Sequence, residues 1–382
     1  MSKILSDVKV VHIITGLGRG GAENALYRLL SARENSEKTC VVSLTDDGFY
    51  GNRLRSIGVE VISLGMRRNI PSPFVIFRLS RILRKINPQV AQTWMYHADL
   101  IGGIAARCVG IKVCWGIRHS NLSPRYNKFT TLIVVLICAV LSHFIPSLII
   151  SCSRRAILVH RRFLYAKKFI VIPNGIDLNE YSPSRAEQCS VRGEIGLPPG
   201  VRVLGHIGRA DPQKDHLNLI SSFSRLLEMT SGVYLVLVGK GLASGDPYLE
   251  ALLDRYDVRD YIIAMGPQND IPMVMRSFDV FVLSSVGEAF PNVVVEAMAC
   301  GIPCVATDVG DVREIVGNNG WVVPPSDSFA LSAALREALG EPSSRLIKLC
   351  EAARKSIEDR YSIGGMVLAY EKAWKSVCQP DE

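Results

Sequence analysis

Two glutamates, Glu288 and Glu296, stand eight positions apart in the stretch GEAFPNVVVEAMACG, where a β-branched run gives way to a helical pattern. That spacing predicts Glu288 in a strand-exit loop and Glu296 about two turns into the helix. Glu296 falls in an otherwise apolar run, where an unpartnered carboxylate is costly. It therefore needs hydroxyl or N–H partners, and a ribose supplies two hydroxyls. The helix N-terminus, with the amides of Asn292 and Val293, is suited to a phosphate. A plainer reading has a solvated loop acid and a helix glutamate held in an ion pair.

A second group is Gly208-Arg-Ala-Asp-Pro-Gln-Lys214. Two cations five residues apart on one strand-exit loop can converge on a pyrophosphate, Arg209 by its planar fork and Lys214 as a point charge. They would offset the charge that grows on a leaving nucleoside diphosphate. Taken alone, they also fit two solvated loop charges. The third group is Gly16-Leu-Gly18-Arg-Gly20-Gly21, a G-x-G-x-x-G turn between a strand and a helix. It suits a phosphate or small-ligand loop, a dinucleotide fingerprint with Asp46 or Asp47 as the ribose acid, or a structural turn. Glu23, just beyond the glycines, does not favour a pyrophosphate there.

These groups need strands and helices to carry them. Short β-branched runs alternate with longer helical patterns through both halves, which predicts parallel sheets covered by helices. Strands are expected at residues 9–15, 39–44, 59–64, 90–93, 112–117, 148–151 and 169–172. The second half restarts at 201–207, followed by 234–238, 261–265, 280–284 and 303–307. At 382 residues the chain exceeds one compact core. The reading is two Rossmann-like, doubly wound α/β domains facing a cleft. Residues 1–172 form the first domain, 173–200 a linker rich in Pro, Gly, Ser and Asn, and 201–361 the second domain. Ile363, Met366, Val367, Tyr370, Trp374 and Val377 recur at helical spacing. This helix, 362–382, is assigned to a return onto the N-terminal domain, with packing on its own domain as the alternative.

The net charge of +8 conceals an asymmetry. Residues 1–172 hold 25 Lys and Arg against 8 Asp and Glu, a balance of +17, which leaves 19 against 28, or −9, for the remainder. A basic half can meet nucleic acid, an anionic membrane or a phosphorylated acceptor; no nucleic-acid-binding motif appears, so nucleic acid is set aside. Residues 129–153 contain no Asp, Glu, Lys or Arg, and 132–141 are continuously apolar. The segment reads as a buried core helix, a membrane- or acceptor-contact helix, or a span interrupted by Ser142, His143 and Pro146. Ten scattered cysteines without a C-x-x-C pair, and a start bearing Lys3, Asp7 and Lys9, point to reduced thiols, no structural zinc and no cleaved leader. The protein is accordingly expected in the cytoplasm, peripheral on the inner face of the membrane.

In order along the chain stand GRGGAEN, IPNGIDLNEYSP, GHIGRADPQK and GEAFPNVVVEAMACGIPCVATDVGDVREIV. With these motifs the sequence resembles the retaining glycosyltransferases of family GT4, which have the GT-B fold. The likeness spans nearly the whole chain and is most specific at Glu288-x7-Glu296. It implies that Arg209 and Lys214 hold the donor diphosphate, Glu296 the ribose, and Glu288 the sugar near its reacting carbon. The amides of Phe290, Asn292 and Val293 would cap the diphosphate or sugar hydroxyls, with Gly16 and Gly18 lining the donor pocket from the other domain. His97, in WMYHAD, matches the family's histidine at the sugar face, although a single histidine at a strand end is more often structural. His119 is a second candidate, for orientation or acceptor contact. Ala289 replaces a common glycine, and Lys240 a common acid.

The reading is thus metal-independent, cofactor-free, retaining transfer of a hexose from a nucleotide sugar, UDP-linked by preference, to a glycan or lipid-linked glycan of a bacterial surface polysaccharide such as lipopolysaccharide. Two rivals remain: an inactive sugar-nucleotide-binding scaffold, and an NAD(P)-dependent oxidoreductase built on the first glycine turn.

Overall fold

The computed structural model describes residues 9–34, 39–66 and 73–379. Lys3 and Asp7, on which the reading of the chain start partly rests, lie outside them. Two units are present: Met1–Gly175 with Ile363–Glu382, and Ile176–Ser362.

The first unit contains β1 (Val10–Ile14), α1 (Gly21–Ser31), β2 (Cys40–Ser43), α2 (Tyr50–Ser56), β3 (Glu60–Ser63), α3 (Pro73–Ile86) and β4 (Val90–Trp94). It continues with α4 (Tyr96–Arg107), β5 (Lys112–Ile117), α5 (Phe129–Leu141), β6 (Leu148–Ser151), α6 (Arg154–Arg162) and β7 (Phe169–Val171). The strands form one parallel sheet in the order β3-β2-β1-β4-β5-β6-β7. β1 is buried along its whole length and divides its side chains by the period of two. Val11 and Ile13 join a core with α3, α4 and α5. Val10 and Ile14 join the opposite core with α1 and with the last helix of the chain, α15 (Ile363–Cys378).

That last helix buries Met366, Tyr370, Ala373, Trp374 and Val377 in the first unit. Trp374 Nε1 donates to Gln92 Oε1 at 3.0 Å, and Lys112 Nζ donates to the carbonyl of Val377 at 2.8 Å. The lysine caps the helix end and meets the negative end of its dipole.

The second unit contains α7 (Arg185–Glu194), β8 (Arg202–Ile207), α8 (His216–Leu227), β9 (Val233–Val238), α9 (Pro247–Leu253), β10 (Ile262–Gly266) and α10 (Ile271–Arg276). Then follow β11 (Val280–Leu283), α11 (Asn292–Ala299), β12 (Cys304–Thr307), α12 (Val312–Val316), β13 (Gly320–Val323), α13 (Ser328–Gly340) and α14 (Ser343–Arg360). Its sheet, also parallel, has the order β10-β9-β8-β11-β12-β13. Leu204, Leu235, Val282 and Val305 pack on α8 and α13.

Two differences from the sequence reading stand out. Residues 173–200 are not a plain linker: the unit boundary falls at Gly175, and α7 lies inside the segment. The helix is capped by Ser184 and anchored by Arg192, whose Nε donates to the Ser277 carbonyl at 2.8 Å while its Nη2 pairs with Asp279 at 2.9 Å. Its helical period was hidden because most of it is polar and only a few positions pack. β13, a half-buried edge strand between Asn319 and Pro324, was not anticipated. The apolar segment 129–141 is an amphipathic helix, with Val134, Val135, Cys138 and Ala139 buried. Among the described residues no helix is long and apolar enough to cross a membrane.

Candidate active site

In an open parallel sheet the strand order reverses at one place, and ligands bind beyond the C-terminal ends of the strands there. In the second unit the reversal lies between β8 and β11. The loop leaving β8 carries Arg209 and Lys214; the loop leaving β11 carries Glu288 and leads into α11. Adjacent pairing of β8 and β11 brings together motifs that are 74 positions apart.

Lys214 Nζ lies 2.6 Å from Glu288 Oε1, and Ser285 Oγ donates to the same oxygen at 2.8 Å. The lysine is held by its backbone as well: its carbonyl accepts from Ser284 Oγ at 2.7 Å, and Val286 N donates to the Gln213 carbonyl at 2.8 Å. Pro212–Lys214 forms a short 3-10 turn whose start is capped by Asp211. Arg209 pairs with Asp211 through Nε and Nη2, at 2.9 and 2.8 Å, and its side chain is 65% exposed. The guanidinium can therefore swing toward an anion while Lys214 stays fixed.

Glu296 is 5% exposed and is the fifth residue of α11, one turn in rather than two, because the helix starts at Asn292 after Pro291. Phe290 is buried against Tyr361, ring centroids 5.5 Å apart. Asn292 and Val293 open the helix and are half-buried, so their amides belong to the end that carries positive dipole. Gly310 backs this turn at a φ of +56°, and a Cβ there would lie 2.5 Å from the carbonyl oxygens of both Glu288 and Ala289. Only glycine permits that approach.

Behind Lys214 runs a chain of two buried histidines that ends on the exposed Tyr248, which sequence reasoning missed. His206 Nδ1 meets the Val282 carbonyl at 3.0 Å, the two Nε2 atoms of His206 and His216 lie 3.1 Å apart, and His216 Nδ1 meets Tyr248 Oη at 3.1 Å. A carbonyl only accepts, so His206 carries its proton on Nδ1 and accepts at Nε2. His216 then donates from Nε2 and accepts from the tyrosine hydroxyl. Burial lowers His206 to about 4, and burial with the neighbouring His206 and Lys214 charges lowers His216 to about 2. Both rings are neutral at pH 7. Two histidines ten residues apart on a strand and a helix give no periodic signal, which is why the pair escaped notice.

In the first unit the reversal lies between β1 and β4. A cavity of about 520 Å³ opens there, and Gly16, Gly18, His97 and His119 all line it. Glu23 and Thr131 share the wall. Met95, between β4 and α4, has φ 74° and ψ 157°, a region that side chains avoid. Its turn sends Tyr96 inward, where Oη lies 2.9 Å from His160 Nε2, while His97 faces the cavity. Burial lowers the pKa of His97. Arg118, next to His119, lies 4.5 Å over the Trp94 ring and bonds to Asn174 and Tyr370. Among the described residues, no group of three or more His, Cys, Asp or Glu side chains is placed to hold a metal ion. All ten cysteines are free thiols.

Fold and site define a two-domain α/β protein with a candidate ligand site at the switch point of each sheet. Residues 19–180 match the family model for Glycosyltransferase Family 4, and residues 201–341 match that for Glycosyl transferases group 1. The chain belongs to the GT4-type glycosyltransferases with the GT-B fold. It is 26% identical over 385 residues to the putative glycosyltransferase EpsF of Bacillus subtilis, covering 96% of this chain and 97% of that protein. It is also 26% identical over 267 residues to the UDP-Gal:alpha-D-GlcNAc-diphosphoundecaprenol alpha-1,3-galactosyltransferase of Escherichia coli, covering 67% of this chain and 65% of that one. The crystal structure of Anabaena Alr3699/HepE in complex with UDP and glucose superposes with a TM-score of 0.84 at 22% identity, over 97% of this chain and 100% of that chain. The protein is a glycosyltransferase.

Proposed function

We propose that the protein transfers a hexose, with retention of configuration and without a metal, from a UDP-sugar to a hydroxyl of a glycan or lipid-linked glycan in bacterial surface polysaccharide assembly. The observation that carries this reading is the Lys214–Glu288 pair at the β8/β11 switch point, beside the N-terminus of α11. The second unit takes the donor. Lys214, Arg209 and the α11 amides receive the diphosphate, the buried Glu296 receives the ribose hydroxyls, and Glu288 lies toward the sugar.

In the reaction the bond from the anomeric carbon to the diphosphate oxygen breaks, and a bond to the acceptor oxygen forms on the same face. The acceptor proton passes to the departing diphosphate oxygen. Cations and helix dipole stabilise the leaving charge as the sugar gains oxocarbenium character. His97, kept neutral by burial, is suited to hydrogen-bond a sugar hydroxyl rather than to repel oxocarbenium charge.

The first-unit cavity takes the acceptor, since Glu23, His97 and His119 suit hydroxyls better than a second diphosphate. Support for the donor comes from the UDP and UDP-Gal named for the two relatives, and for the acceptor from the diphosphoundecaprenol-linked sugar named for the E. coli enzyme. The protein would then work on the cytoplasmic side of the membrane.

Calorimetric titration with UDP-, GDP-, ADP- and dTDP-sugars, with and without EDTA, tests the donor. Saturable, EDTA-insensitive binding of a UDP-sugar that Glu296→Ala weakens is expected. The anomeric coupling of the product, read by proton NMR, reports stereochemistry, and an inverted product would overturn the mechanism. Donor binding without transfer or hydrolysis would return the inactive scaffold.

A further inference from the structure

On the solvent side of α5, Phe129, Ile133, Leu136, Ile137 and Val140 are 77, 42, 54, 42 and 65% exposed, and Phe144, just past the helix, is 72% exposed. Their spacing puts them on one face, opposite Val134, Val135, Cys138 and Ala139, which are buried. The face continues beyond the helix. His143 Nε2 meets the carbonyl of Leu164 at 3.0 Å, and the Leu164 side chain is itself 78% exposed. Contiguous apolar surface of this kind marks an interaction site.

The charge along this part of the chain is of one sign. From residue 100 to residue 176 the chain has eleven Lys and Arg and no Asp or Glu. Arg125 and Lys128 stand exposed just before α5; Arg154, Arg155, Arg161, Arg162, Lys167 and Lys168 stand exposed on and after α6. At 13 residues α5 is about 20 Å long, too short to cross a hydrocarbon core of about 30 Å. A short helix with one apolar face and a cationic surround suits an interfacial position, its face among acyl chains and its cations among lipid phosphates.

We infer that α5 with Phe144 and Leu164 is a docking face for an anionic phospholipid surface. The same helix borders the candidate acceptor cavity, because Thr131 of α5 and Asn127 just before it line the cavity with Gly16, His97 and His119. Docking therefore holds that cavity at the membrane surface, where a lipid-linked diphosphate-sugar presents its polar head. This last point rests on the proposed acceptor; the docking itself does not.

The test is flotation of the full chain with phosphatidylglycerol/phosphatidylethanolamine vesicles and with phosphatidylcholine vesicles, at low and high salt. Binding to the anionic vesicles is expected, with partial release by salt, and phosphatidylcholine should capture far less. Ile137→Asp/Val140→Asp should weaken anionic binding about tenfold or more, since it puts two charges where apolar area was buried. Arg161→Glu/Arg162→Glu should also weaken it about tenfold or more, with the remaining binding less salt-sensitive. Both variants change exposed positions, so circular dichroism and UDP-sugar titration should match the parent; those titrations also separate failure of docking from failure of the donor reading. No capture of the parent by anionic vesicles would overturn the inference. So would variants that float like the parent, or a dimer seen by light scattering that Ile137→Asp/Val140→Asp dissolves without any vesicle binding.

Discussion

Lys214 Nζ and Glu288 Oε1 are 2.6 Å apart, so the ammonium that is to meet a leaving diphosphate is aligned by the carboxylate that is to face the sugar. Removing either partner has a different consequence. Glu288→Gln keeps an acceptor for Ser285 but removes the charge beside the reacting centre, and kcat should fall about 10²–10³-fold with donor Kd nearly unchanged. Lys214→Ala should weaken donor binding and lower kcat together. Steady-state kinetics with isothermal titration separates the two patterns.

Glu296 is buried, where a carboxylate has to be satisfied by hydrogen bonds. Glu296→Ala should raise the Kd for the nucleotide sugar, and for the free nucleotide, by about tenfold to a hundredfold. Equal affinities in parent and variant would remove it from the ribose site.

The two glycines of the first turn answer to different demands. A Cβ on Gly16 would lie 2.6 Å from Thr45 Oγ1, whose hydroxyl bonds the Thr15 carbonyl at 2.9 Å. A Cβ on Gly18 meets nothing within 4 Å. Gly16→Ala should therefore lower Tm by several degrees, roughly what about 1 kcal/mol produces. Gly18→Ala should leave Tm unchanged and lower kcat/KM, because its methyl group narrows the cavity. Thermal denaturation alongside kinetics checks both.

The buried histidine pair predicts acid sensitivity. Both folded pKa values, about 4 and about 2, lie below the ordinary 6.5. Above pH 6.5 neither state carries the proton. As pH falls below it, the unfolded chain binds protons that the folded chain refuses, and stability is lost. Buried His12, lowered to about 3, and His160, lowered to about 4, act in the same direction. His216→Gln should flatten the fall of Tm between pH 6.5 and 4.

Asp99 gives the opposite slope. Burial pushes its carboxyl up to about 8, with only partial opposition from the Thr93 hydroxyl and the Gly116 amide. Between about pH 4 and 8 the unfolded chain releases this proton while the folded chain keeps it, so stability declines as pH rises. Asp99→Asn should raise Tm more at pH 8 than at pH 5; an advantage independent of pH would mean that Asp99 is ionised in the fold.

The sequence alone makes twelve of the thirteen strands among the described residues legible, because buried parallel strands are apolar runs bounded by glycine, proline and polar turns. It also determined the family, since Glu288-x7-Glu296 and the loop around Arg209 and Lys214 are local patterns. It did not show the helix inside 173–200 or the edge strand β13, where burial is too sparse to leave a period. The tertiary structure alone puts β8 beside β11, β1 beside β4 and the His206–His216 pair behind Lys214. It also decided which face of α5 is covered. Each of these depends on hydrogen bonds and burial between residues far apart in sequence, and no local pattern encodes which strands become neighbours.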